Sequence, residues 1–99
     1  MTFISIRTYK TKDQKLDAET IEKVESGFAP IIKAVPGFHA YQLIDSGNYS
    51  VSSISVYDTE ESANESVERS TEWVNENLAQ LVDGSATVFT GEQVFSQLA

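Results

Sequence analysis

The chain contains no cysteine, so neither a disulfide framework nor a thiolate metal site is available to it. It has one histidine, one tryptophan and one methionine. A single imidazole without thiols leaves no transition-metal ligand set, and no metal is expected. No apolar run approaches the roughly 20 residues that span a bilayer, and Met1–Lys10 lacks the pattern of a secretory signal. The chain is therefore expected to be cytoplasmic and free of membrane partners. Basic residues are scarce too: 7 Lys and Arg stand against 15 Asp and Glu, for a net charge of −8. Six of the seven basic residues fall before residue 36, and Arg69 is the only one after it. Such a surface repels phosphate backbones, so no nucleic-acid partner is expected. Glycine-rich phosphate loops and nucleophile elbows are absent as well.

What is present is a regular alternation of strand and helix patterns across 99 residues, enough for one domain over 1–99. Residues 2–10 are rich in β-branched and aromatic types. Phe3, Ser5, Arg7 and Tyr9 share one face, and Thr2, Ile4, Ile6 and Thr8 share the other. Asp17 caps a helix, with Leu16 and Ile21 spaced for a hydrophobic staple. Ile21, Val24, Phe28, Ile31, Ile32 and Val35 follow its apolar stripe. Pro30 removes a backbone donor and predicts a kink or restart.

After Pro36-Gly37, residues 38–45 and 49–57 read as a hairpin around Ser46-Gly47-Asn48. Strict alternation places His39 with Tyr41 and Leu43, and Val51, Ser53 and Ser55 with Tyr57. Asp58 is expected to cap a second helix with Glu61 as its reciprocal partner. Ala63, Val67, Ser70, Val74, Leu78 and Leu81 form that helix's stripe. Gly84 ends it, and residues 86–95 close the chain as a fourth strand.

This order, βαββαβ, predicts an α+β fold of the ferredoxin-like type, with a four-stranded antiparallel sheet. Right-handed crossovers put both helices on one side and leave the other sheet face bare. A bare face carrying Ile, Val and Leu is too large an apolar patch for a lone subunit, so a homodimer is expected.

The residues resemble the antibiotic biosynthesis monooxygenase superfamily, the small dimeric α+β barrels. The opening strand Phe3–Tyr9, Pro36-Gly37-Phe38 leading to Tyr41-Gln42-Leu43, Val56-Tyr57-Asp58, and Ser62-Ala63 with Trp73 further on carry the resemblance. It implies a pocket between sheet and helices and, in some members, cofactor-independent oxygenation of small aromatic molecules. No cofactor is thus expected. Its haem-degrading branch uses an Asn on the first strand with a Trp and a His on the second helix. Here Arg7 and Val67 stand near the first two positions, and the second helix has no His, which argues against that activity. A non-catalytic dimeric small-molecule-binding or interaction module of the same fold is the alternative.

Two residues are candidates for chemistry. His39 is either a proton shuttle or a strand-end histidine with one hydrogen bond. Arg7 either anchors an anionic or enolate oxygen or pairs with a nearby Glu. Tyr9, Tyr41, Tyr57 and Trp73 are candidate substrate-binding residues, offering hydroxyl donors and a flat aromatic wall.

Overall fold

The computed structural model describes residues 1–99, all of the chain. The strands are β1 (Phe3–Lys10), β2 (Phe38–Asp45), β3 (Ser50–Tyr57) and β4 (Thr87–Glu92). The helices are α1 (Ala18–Lys23), α2 (Ala29–Lys33) and α3 (Glu60–Asn77). The strands form one antiparallel sheet in the order β2-β3-β1-β4, the ferredoxin-like arrangement. No helix is long and apolar enough to cross a membrane.

Asp17 caps α1 as expected, accepting from the Thr20 N–H at 2.7 Å. Of the two staple residues Leu16 is buried, whereas Ile21 is 42% exposed. Pro30 acts one turn upstream of itself. Residues Val24–Phe28 widen into a π turn, and the Ala29 N–H reaches back to the Val24 carbonyl. The helix then restarts as α2 with Pro30 in its first turn, where its missing donor has no helical partner to lose. The widened turn carries Gly27, whose missing side chain admits Trp73. A β-carbon there would lie 3.3 Å from the indole.

The second helix is capped by Thr59, which accepts from the Ser62 N–H, and not by Asp58. Asp58 is drawn instead to His39, with which it pairs. A bulge explains that pairing. The register of β2 on β3 slips between Phe38 and Ala40, leaving His39 as the extra residue. Phe38 thereby joins Tyr41 on the helix side, and His39 falls out of the alternation that grouped it with Tyr41 and Leu43. The fourth strand also ends earlier than its apolar pattern implied. Beyond Glu92 the chain is irregular, and Val94, Phe95 and Leu98 are exposed.

The core lies between the sheet and the helices, where Val24, Phe28, Ile32, Val35, Tyr57, Ala63, Trp73 and Val74 form one cluster. The opposite sheet face carries no helix. Ile4 pairs with Val56 and Ile6 with Ile54 along its centre, flanked by Ile44 (49% exposed) and Phe89 (64% exposed).

Candidate functional site

Two strands and one helix supply the groups that converge on Arg7. Its side chain is wholly buried, as are those of Ser5, Ser55, Ser66 and Ser70. Strand alternation places Ser5 beside it and brings Ser55 and Ser53 across from β3. The helical spacing of Ser66 and Ser70 turns both toward the sheet. Arg7 Nη1 donates to Ser5 Oγ at 3.0 Å and Ser66 Oγ at 3.3 Å. Its Nη2 donates to Ser53 Oγ at 2.8 Å and Ser55 Oγ at 3.0 Å. The remaining donor, Nε, is buried without a partner. Arg7 forms no ion pair; the only two in the chain are His39–Asp58 and Arg69–Glu65.

A full positive charge thus rests on neutral hydroxyls. Burial lowers the Arg7 pKa below the ordinary arginine value, and the nearby phenols Tyr9, Tyr41 and Tyr57 oppose that shift. Burial also raises the pKa of all three phenols, while the guanidinium pulls each the other way. The coupling runs through contacts as well, since Ser53 donates to the Tyr41 hydroxyl at 2.9 Å.

Two cavities adjoin this layer. The inner one, about 40 Å³, is lined by carbon, with Tyr9, Phe28, Tyr41, Leu43, Trp73 and Val74 among its walls. Phe28 meets Tyr41 edge-on at 5.5 Å and Trp73 at 5.2 Å, which fixes the three rings. The outer one is a groove of about 190 Å³ between α3, β4 and residues 82–86, no more open to solvent than the inner one. Tyr9, Thr71, Asn75, Ser85 and Val88 line it, so polar and apolar groups mix there. Tyr9, Val74 and Val82 belong to both cavities. Arg7 lies under the partition: Tyr9 follows it on the same strand face, and Val88 is its partner on β4. A wider surface depression among Glu60, Glu61, Glu65 and Glu68 is shallow and acidic.

The candidate residues are therefore only partly gathered. Tyr9, Tyr41 and Trp73 share the wall of the inner cavity, whereas Arg7 is wholly buried and lines neither cavity, reaching the inner one only through Ser53. Tyr57 is wholly buried and donates to the Ile32 carbonyl at 2.9 Å, reaching neither cavity. His39 is half-exposed beside Asp58 and lines neither cavity. The serine cage was not singled out from the sequence. Its signal was there in Ser5, Ser53 and Ser55, which share the strand faces of Arg7 and Tyr57. No group of His, Cys, Asp or Glu is placed to hold a metal ion.

A four-stranded antiparallel sheet in this order, with both helical layers on one face, is a ferredoxin-like α+β fold. No protein-family model matches the sequence, and no curated protein matches it. Solved structures do. A monooxygenase from the gene ActVA-Orf6 of Streptomyces coelicolor, in complex with the ligand nanaomycin D, superposes with a TM-score of 0.71 at 17% identity. That match covers 98% of this chain and 91% of the other. A Nitrosomonas europaea protein provisionally described as an antibiotic biosynthesis monooxygenase gives 0.72 at 12% identity, covering 95% and 91%. One from Chloroflexus aurantiacus, described likewise, gives 0.65 at 14%, covering 98% and 97%. At these identities the likeness is one of fold.

Proposed function

We propose that this protein is a homodimeric, cofactor-independent monooxygenase that binds a small hydroxylated aromatic molecule between sheet and helices. The observation that carries the reading is the unbalanced charge of Arg7, buried on hydroxyls with Nε unpaired. A buried cation without a counter-ion costs several kcal/mol, which a ligand bearing negative charge would offset. An aromatic hydroxyl that ionises on binding supplies that charge. The outer groove exceeds the roughly 150 Å³ that accommodates benzene, so a ring system fits it. The Streptomyces coelicolor monooxygenase of the same fold holds a small-molecule ligand, which supports a ligand here.

The ionised aromatic is then the reductant. Two of its electrons reduce dioxygen to the peroxide level, the O–O bond breaks, one oxygen atom takes the place of a ring hydrogen, and the other leaves as water with two of the substrate's hydrogens. The protein's part is to hold the ring, lower the cost of the anion and exclude water. The second copy covers the bare sheet face, where Ile44 and Phe89 are exposed around Ile4, Ile6, Ile54 and Val56.

One observation favours the alternative, a binding module without turnover. The only imidazole, His39, stands apart from both cavities, and the phenols near Arg7 are pushed away from ionisation. No group poised near neutrality is therefore at hand as general base. An oxygen electrode with 1,4-dihydroxynaphthalene separates the two. Uptake above the spontaneous rate, abolished in Arg7→Met and kept in His39→Gln, supports the monooxygenase. Saturable binding without uptake supports the module.

A further inference from the structure

We infer that α1 is a lid over the inner cavity, latched by Lys23 to the end of α3. The inference goes beyond the monooxygenase reading and does not depend on it. Helix α1 has six residues, Ala18–Lys23, and buries none of them. A helix that short is unstable on its own propensity, so its neighbours must hold it. Its two flanks are fixed. Before it, buried Leu16 donates its N–H to Asp45 Oδ2 at 2.8 Å; after it, Val24 joins the core cluster. Of the residues between them only Thr20 is half-buried, and the others are exposed. Leu16, Thr20, Val24 and Phe28 recur every fourth residue, and all four line the inner cavity. Helix α1 therefore roofs the cavity with a single side chain.

Thr20 is also where the cavity meets the surface. It lines the depression outside α1 as well, and so do Leu78 and Leu81 beyond α3. These three side chains frame the mouth. Lys23 reaches across beside it, and its Nζ donates to the Asn77 carbonyl at 3.1 Å. That carbonyl ends α3, where the helix leaves it without a partner and the dipole is negative. Glu19 lies one turn back and Glu76 precedes Asn77, yet Lys23 forms an ion pair with neither. The next residues, Val24–Phe28, form the π turn, where the regular helical ladder is already broken. Released from Asn77, α1 can unwind between Leu16 and Val24 without disturbing the core.

Trp73, the only tryptophan, stands in the cavity wall and reports the opening. Amide exchange followed by NMR should find Ile21, Glu22 and Lys23 exchanging about a hundredfold faster or more than Trp73 and Val74. Lys23→Met removes the donor from an exposed side chain and leaves the core untouched. It should speed α1 exchange by about threefold or more, and Lys23→Arg, which keeps a charged donor, should not. Acrylamide, a small uncharged solute, quenches indole fluorescence on contact. Its quenching of Trp73 should rise in Lys23→Met and fall in Thr20→Leu, which fills the mouth.

Amides in α1 as slow as those of α3 would overturn the lid. So would quenching that is the same in the parent and both variants, since α1 would then fray without opening the cavity. Neither readout needs ligand or oxygen. A failed lid leaves the monooxygenase standing, and absent oxygen uptake leaves the lid.

Discussion

Replacing Arg7 with methionine should leave the fold standing while abolishing ligand binding, and the stability change can be bounded from the cage itself. Four hydrogen bonds to a charged donor contribute about 1.5–3 kcal/mol each. Against them stand a desolvation cost of several kcal/mol with no Coulombic partner, and an unpaired Nε at about 1–3 kcal/mol. Methionine removes both sides of this balance. What remains are the partners left behind. Ser53 still donates to Tyr41 and Ser66 to the Ala63 carbonyl, but Ser5 and Ser55 lose their only hydrogen bonds. Two orphaned hydroxyls cost about 1–3 kcal/mol each. The variant to build is therefore Arg7→Met with Ser5→Ala and Ser55→Ala. By analogy with other buried charges exchanged for apolar groups, it should unfold in urea within about 1 kcal/mol of the parent, or up to about 4 kcal/mol later. A loss above about 4 kcal/mol would show that Arg7 is a structural keystone, and the argument that its charge awaits a ligand would fail.

Three further outcomes follow from the same structure. Tyr9, Tyr41 and Tyr57 have pKa values raised by burial above the ordinary 10.0, so the folded chain keeps protons that the unfolded chain releases. Their contribution to stability is complete below that value and is lost as pH rises through the folded ones, and absorbance at 295 nm should show phenol ionisation coinciding with unfolding. At Gly37, φ is +80° and an added β-carbon would meet the Asp58 β-carbon at 3.2 Å. Gly37→Ala should cost about 1–3 kcal/mol in a denaturant titration, and no loss would refute the strain. Ile6 lies on the bare sheet face opposite Ile54. Sedimentation should give a dimer for the parent and a folded single subunit for Ile6→Asp, since a charge there would sit inside an interface of about 1,600 Å² in total; a parent that sediments as one subunit would sink the proposed pairing.

Most of the architecture was legible because it is written in local patterns. The hairpin around Gly47, the Asp17 cap and the arrest at Pro30 each follow from one residue's backbone preference. Side-chain alternation put Ser5, Arg7 and Tyr9 on one face, and the structure keeps them there. Legibility stopped where two segments compete for one side chain. Asp58 has the residue type for a cap, yet it pairs with His39, and Thr59 takes over the helix end. His39 itself moved because a bulge depends on register between strands, which β2 alone does not encode. Arg7 illustrates the same limit at the site. On its own strand it reads as an anion anchor or an ion-pair partner, and nothing nearby in sequence announces that its neighbours are serines from β3 and α3. The resemblance implied a pocket between sheet and helices, but the size, number and lining of the two cavities were out of reach, since they are gaps left by packing between elements.

The claim on which the functional account rests is that positive charge stored at Arg7 draws an aromatic ligand in its ionised form. It is tested most directly by calorimetric titration of the parent protein with 2-naphthol and with 2-methoxynaphthalene, which has the same ring but cannot ionise. Naphthol should bind about tenfold more tightly or better, a difference of about 1.4 kcal/mol, and its advantage should grow as pH rises toward the hydroxyl's own ionisation. Equal affinities that do not change with pH would contradict the account.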